Sequence, residues 1–199
     1  MRDLIVISIL TGGKSSRMDF QNKSFLKIHD KTFIELLLDQ LKILDNEIII
    51  NVNDDAEKYS KFGFKIVADK IKGRKGPLAG LHSIMSLYKR TKKNIWFAML
   101  PTDAPLINLN FFKEFEKISK KNKSSYISMI DGKIEPMFSF WSINSFEILD
   151  RILNLNDGYK IMKFAEEIGF EYLNIEKENK LEFFNVNNID DYNFFKSSF

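Results

Sequence analysis

The chain contains no cysteine, which excludes disulfides, thiolate metal sites and a cysteine nucleophile. Histidine is nearly absent: His29 and His82 stand alone, with neither a second His nor an acid at metal-ligand spacing, and both are read as structural or exposed. Proline is scarce, at four residues, and nineteen Phe beside many Ile and Lys reflect composition, from which no function is drawn. The formal net charge of +3 is too small to argue for nucleic-acid binding. No apolar run approaches the ~20 residues needed to span a bilayer. The start, Met1-Arg2-Asp3-Leu4, carries an acid and leads into a short apolar run that ends in glycines, unlike a secretory signal. No internal repeat, low-complexity linker or composition break divides the chain. The expectation is a soluble, cytoplasmic protein with one α/β domain over residues 1–199, a length that can bury a sizeable core.

What is there is concentrated at one place. Leu4-Ile5-Val6-Ile7-Ser8-Ile9 reads as a buried strand and empties into Leu10-Thr11-Gly12-Gly13-Lys14-Ser15-Ser16-Arg17-Met18, with Lys23 close behind. Gly12 and Gly13 let backbone N–H groups approach an anion with no Cβ in the way. Lys14, Arg17 and Lys23 gather cations in one short stretch, and Ser15 and Ser16 add hydroxyl donors, a composition suited to a triphosphate. The order is neither that of a Walker loop nor that of the Gly-x-Gly-x-x-Gly dinucleotide turn. Taken alone, the glycines favour a plain turn flanked by solvated Lys and Arg.

Strands and helices then alternate. A short extended piece is expected at Ser24–Ile28, and a helix from Thr32 with a capping box to Glu35 and apolar positions at Phe33, Leu36, Leu37 and Leu41. Strands are expected at Glu47–Val52, Lys65–Ala68 and Ile95–Leu100, and a helix carrying Leu81, Ile84, Met85 and Tyr88. This alternation predicts a parallel sheet with helices on both faces. Gly12, Gly13, Asn51, Asp69 and Asp103 all fall at or just past strand C-termini, the edge where open α/β sheets bind ligands. Further on, Leu109–Lys120 reads as a helix, and Tyr126–Ile130 and Pro136–Trp141 as strands about a turn at Asp131-Gly132. Helices follow at Ile143–Leu153 and Ile161–Glu167, then a last strand at Phe183–Asn187 and a terminal helix near Ile189–Phe195.

Asp103 is the best candidate metal ligand. It follows a hydrophobic strand, Pro101 and Pro105 stiffen its loop, and a hard carboxylate there suits Mg²⁺ bridging to substrate phosphates. A turn or helix cap would explain the same Asp. Asp69 precedes Lys70, Lys72, Arg74 and Lys75, a basic loop facing either solvent or a polyanion. Asn51 is either a turn residue or a polar contact to a ribose.

Together these segments resemble the MobA-type molybdenum cofactor guanylyltransferases. The Leu10–Met18 loop with Lys23 is similar to the family's signature, Gly76-Pro77-Leu78-Ala79-Gly80 to its second motif, and Thr102-Asp103-Ala104-Pro105 to its metal loop. Glu135-Pro136-Met137-Phe138 and Phe184-Asn185-Val186-Asn187 resemble two further motifs, so motif order is kept over nearly the whole chain. Thr11 and Asp19 depart from the pattern, which has Ala and Gly there.

The resemblance implies a three-layer α/β/α sandwich with a mostly parallel, Rossmann-like sheet of the nucleotide-diphospho-sugar transferase type. A nucleotide-binding half would cover about residues 1–107 and an acceptor half about 108–199. It implies Mg²⁺-dependent transfer of GMP from GTP to molybdenum-loaded molybdopterin, with release of pyrophosphate. Arg17, Lys23 and Asp103 would be catalytic, with Asp103 holding the metal. Leu10, Thr11, Gly12, Gly13, Lys23, Asn51, Asp69, Gly76, Pro77, Leu78, Gly80 and Asp103 would bind nucleotide, and Glu135, Asn185 and Asn187 the acceptor. Main chain of the loop flanked by Gly76, Pro77 and Gly80 is expected to pair with the guanine edge. Expected partners are the two substrates, with transient contact to molybdenum-insertion proteins or apo-molybdoenzymes, and neither nucleic acid nor membrane. The rival readings are a cytidylyltransferase for the same pterin, a sugar-phosphate nucleotidyltransferase, and a nucleotide-binding module without catalysis. The cytidylyl type has Ala for the second loop glycine and lacks Gly-Pro-Leu-Ala-Gly, so Gly13 and Gly76–Gly80 are of the guanylyl type.

Overall fold

The computed structural model describes residues 4–12, 22–73, 76–91, 94–119, 125–155 and 159–199. Gly13, Lys14, Ser15, Ser16, Arg17, Met18, Asp19, Arg74 and Lys75 lie outside the described residues.

The central strand is β1 (Leu4–Leu10). Its alternation sends Ile5, Ile7 and Ile9 to one face of the sheet and Val6 and Leu10 to the other. It pairs in parallel with β4 (Glu47–Asn51) on one side and β6 (Ile95–Pro101) on the other. Two small strands, β2 (Lys27–Ile28) and β3 (Lys31–Thr32), form a separate ribbon. The rest of the large sheet is β5 (Lys65–Val67), β7 (Ser125–Ile130), β8 (Lys133–Ser142) and β9 (Phe170–Ile175), in the order β5-β4-β1-β6-β8-β7-β9. Only β8 runs against its neighbours among the described residues, so the sheet is mostly parallel. The β7–β8 turn at Asp131-Gly132 has positive φ at both residues, 47° and 78°, the twist a two-residue hairpin requires.

Helices cover both faces. On the first face lie α1 (Phe33–Leu41), α2 (Ala56–Ser60) and α4 (Asn110–Ile118). On the second lie α3 (Pro77–Met85), α5 (Phe146–Leu155) and α6 (Ile161–Ile168). The expected capping box opens α1: Thr32 accepts from the Glu35 N–H while the Glu35 carboxylate accepts from the Thr32 N–H at 2.8 Å. Phe33 and Leu36, on the outer side of α1, pack against Phe195 of α7 (Ile189–Ser198). Among the described residues no helix is long and apolar enough to cross a membrane.

Two of the expected elements need correction, and one strand was missed. Ser24–Ile28 is not extended throughout: Lys23–Phe25 is a turn of 3₁₀ helix, because Asn22 accepts from the Ser24 N–H at 3.1 Å and caps it. Phe183–Asn187 is not a strand. It lies along the Asp103 loop, where Phe183 N–H donates to the Leu106 carbonyl at 2.7 Å and Val186 N–H to the Asp103 carbonyl at 2.8 Å. The strand β9 was not foreseen. Gly169, at φ 82°, ends α6 immediately before it, and its pairing with β7 bridges a long sequence separation that local pattern does not reveal.

Candidate active site

The register of the central strands sets the site. Leu10 pairs with Asn51 on one side and Pro101 on the other, so β4, β1 and β6 end level. The ladder continues one residue further: Thr11 N–H donates to the Asn51 carbonyl at 3.2 Å, and Thr102 N–H to the Leu10 carbonyl at 3.3 Å. The Thr11 hydroxyl donates to the same Asn51 carbonyl at 2.8 Å, a bond that alanine could not make. Just beyond these ends lies a cavity of about 220 Å³, bordered by Leu10, Thr11, Gly12, Asn51, Asp69, Gly76, Pro77 and Asp103. Asn53, Asp54 and Met137 also line it and were not singled out from the sequence, and Pro101, expected only to stiffen the Asp103 loop, lines it too. Asn53 and Asp54 belong to the polar run that follows β4, and Met137 to the Glu-Pro-Met-Phe segment, which were the available signals.

The polar end of this cavity is a side-chain network. Asn51 donates through Nδ2 to the Val67 carbonyl at 3.1 Å and to Asp69 Oδ1 at 2.9 Å. Asn53 donates to Asp69 Oδ2 at 2.9 Å and accepts from the Asp69 N–H at 2.8 Å. Each carboxylate oxygen thus accepts one amide N–H and keeps further lone-pair capacity for a ligand.

Gly76-Pro77-Leu78-Ala79-Gly80 is not a loop. Gly76, at φ 77°, precedes Pro77, the first residue of α3, so the segment is a helix N-terminus. Its positive dipole end borders the cavity, a placement favourable to an anion. Leu78 is buried in the core and does not line the cavity. Gly80 does not line it either, because it packs beneath Asn51, where an added Cβ would come within 2.4 Å of Asn51 Oδ1.

Asp103 sits half-buried at the other end of the cavity. Gln40 of α1 fixes its loop, donating to the Pro105 carbonyl at 2.8 Å and accepting from the Ile107 N–H at 3.0 Å. Burial pushes the Asp103 carboxyl above the usual carboxylate range, and the nearby Lys23 charge pulls it part of the way back. Lys23 Nζ is 3.4 Å from Asn187 Oδ1, so this lysine and the C-terminal motif meet across most of the chain. Among the described residues no group of three His, Cys, Asp or Glu is gathered for a metal. Asp103 offers a hard oxygen donor of the kind that suits Mg²⁺, a cation that usually completes its shell with substrate phosphates and water. His82 is structural: buried on α3, it bonds Asp150 of α5 at 2.7 Å and stacks on Phe146. That acid lies sixty-eight residues away, beyond any local spacing rule.

A second cavity, of about 370 Å³, holds Glu135, Asn185 and Asn187, the three expected acceptor residues, together with Lys133, Lys177 and Phe184. The Val186–Asp103 hydrogen bond ties its rim to the metal-candidate loop. The expected nucleotide residues thus border one cavity, apart from Leu78, Gly80 and Lys23, and the acceptor residues border another. Gly13 and Arg17 lie outside the described residues.

A cavity at the level carboxyl edge of parallel strands is thus tied, through the backbone of a strand-end Asp, to the rim of a second cavity. The MobA-like NTP transferase domain matches residues 7–169. The chain belongs to this family. A probable molybdenum cofactor guanylyltransferase of Clostridium perfringens is 33% identical over 192 residues, covering 93% of this chain and 92% of that protein. A molybdenum cofactor guanylyltransferase of Haemophilus influenzae is 27% identical, covering 92% and 93%. The crystal structure of molybdopterin-guanine dinucleotide biosynthesis protein A from Archaeoglobus fulgidus superposes with a TM-score of 0.79 at 21% identity, covering 98% of both chains, and so shares the fold. In this MobA-like chain, Thr11 stands where the family pattern has Ala, and its hydroxyl adds a tie between β1 and β4.

Two predictions follow from the geometry. Ionised Asp103 costs the folded state stability at neutral pH, because burial raises its pKa, and the cost vanishes as pH falls below the unfolded carboxylate value. Asp103→Asn should raise the melting temperature of the metal-free protein at neutral pH, with the gap closing near about pH 4. It should also abolish the extra thermal shift that Mg²⁺ adds to GTP. A lower melting temperature for the variant would mean that protein donors already satisfy the carboxylate. Gly80→Ala gains about 1 kcal/mol of helix propensity, yet it must displace an Asn51 side chain held by two hydrogen bonds. GTP affinity measured by calorimetry should fall roughly tenfold or more, the cost of losing a bond to a charged partner. Unchanged affinity would show that the position of Asn51 is immaterial to the nucleotide.

Proposed function

We propose that this chain is a Mg²⁺-dependent molybdenum cofactor guanylyltransferase. It transfers GMP from GTP to the terminal phosphate of molybdopterin carrying molybdenum and releases pyrophosphate. The observation that carries the reading is the pair of cavities on either side of the Asp103 loop, one bordered by the Thr11-Gly12 turn and the Asn51–Asp69 pair, the other by the Glu135 and Asn185–Asn187 segments.

An acceptor phosphate oxygen attacks the α-phosphorus of GTP. The new P–O bond forms as the bond to the β-phosphate oxygen breaks, and pyrophosphate leaves. The nucleophile is already an anion, so no Ser-His or Cys-His pair is required. What the protein supplies is alignment of the two substrates and relief of their mutual repulsion. Lys23, with Arg17 beside it in sequence, neutralises phosphate charge. The N-terminus of α3 adds its dipole. Asp103 would hold the divalent cation, which would supply Lewis-acid stabilisation of the phosphates.

Base selection comes from side chains and not from a glycine loop. Guanine offers N1–H and N2–H₂ side by side, and the Asp69 carboxylate, held by Asn51 and Asn53, is a matching acceptor. Cytosine and adenine each place a ring-nitrogen acceptor next to their amino group, so one half of the contact becomes repulsive. Each such mismatch costs about 1–3 kcal/mol. Pyrophosphate release with molybdopterin as acceptor should therefore favour GTP over CTP and ATP by at least about tenfold. Equal use of CTP would replace the guanylyl assignment with a cytidylyl one.

A further inference from the structure

The second cavity contains three carboxylates, and two are already committed to the backbone. Asp191 accepts from the Asn187 N–H at 2.8 Å and the Asn188 N–H at 3.1 Å, capping α7. Asp131 accepts from the Lys177 N–H at 3.1 Å and steadies the hairpin turn. Glu135 differs. Among the described residues, side chains alone hold its carboxylate: Lys133 Nζ at 2.6 Å from Oε1, and Asn185 Nδ2 at 3.4 Å from Oε2. One amide and one ammonium occupy two of its roughly four lone-pair sites and leave the others for a ligand. The partly exposed ring of Phe184 borders the same space and offers an apolar face to a flat heterocycle.

This is the arrangement found around Asp69 in the first cavity. There too a carboxylate lines the cavity, and each of its oxygens accepts one side-chain N–H. The two cavities thus carry the same recognition element. The substrates of the proposed reaction share a matching one, since guanine and pterin both carry the 2-amino-4-oxopyrimidine edge, an N–H beside an NH₂. We infer that Glu135 reads this donor edge of the pterin ring, as Asp69 reads that of guanine, and so selects the acceptor. The inference rests on the guanylyl-transfer reading for the identity of the acceptor. Lys133 offsets the negative charge that Glu135 would otherwise present to an anionic substrate.

The test uses the whole chain and two fluorescent probes, pterin and its 2-oxo analogue lumazine. In lumazine a carbonyl replaces the amino group and would face the carboxylate. The wild type should bind pterin at least about tenfold more tightly than lumazine, as a site built for a donor rejects the analogue lacking it. Glu135→Gln should bring the two within about twofold, while calorimetry shows GTP affinity intact and so a folded nucleotide site. Equal wild-type binding of the two probes, no pterin binding at millimolar concentration, or an undiminished preference in Glu135→Gln would each overturn the inference. So would the crossed result, in which Glu135→Gln weakens GTP and Asp69→Asn weakens pterin. Guanylyl transfer itself is judged separately, by pyrophosphate release from GTP and molybdopterin in the wild type, so the two claims can fail independently.

Discussion

The site depends on the paired register of one residue. Leu10 lies opposite both Asn51 and Pro101, so three parallel strands end level and their following residues converge. A one-residue slip of β4 would turn Asn51 to the other face and bury a polar side chain in the core. That register is over-determined. Ile5, Ile7 and Ile9 are fixed by one face of the core and Val6 and Leu10 by the other. The Thr11 hydroxyl bond and the Thr102–Leu10 bond then extend the ladder to the cavity itself. The energy of a buried hydrophobic sheet thereby positions polar groups that would be costly to hold in place by themselves.

Electrostatics follow from that placement. The Asp103 loop emerges where it is half-buried, and its carboxylate is consequently desolvated. An isolated buried anion is unfavourable, so the site is poised for a counter-charge. Lys23 supplies part of it and simultaneously touches Asn187. The fold places a desolvated carboxylate and a lysine between two cavities, one presenting Asp69 and the other Glu135 among their carboxylates.

Much of this was legible in the sequence, for physical reasons. The apolar runs of β1, β4 and β6, the Thr32–Glu35 cap and the Asp131-Gly132 turn are local signals, and local energetics decide them. So does the clustering of Gly12, Asn51, Asp69 and Asp103 at strand ends, since a parallel sheet must bring those ends together. What escaped the sequence depends on distant partners. β9 exists because β7 offers it an edge, and 183–187 is irregular because it is bonded to the Asp103 loop and not to a strand. The Gly76–Gly80 segment reads as a glycine loop, yet Pro77 starts a helix and Gly80 is needed for its close approach to Asn51. Asn53 carries no motif of its own. Its role as a reciprocal partner of Asp69 appears only when β4 and β5 lie side by side.

The central claim is that one metal-bearing carboxylate stands between a guanine cavity and an acceptor cavity. Crystals grown with GTP and Mn²⁺ test it most directly, through the anomalous signal of the metal. The account predicts a peak in coordination contact with the Asp103 carboxylate, bridged to the nucleotide phosphates, with guanine against Asp69. A metal bound away from Asp103, or guanine seated among Glu135, Asn185 and Asn187, would contradict it.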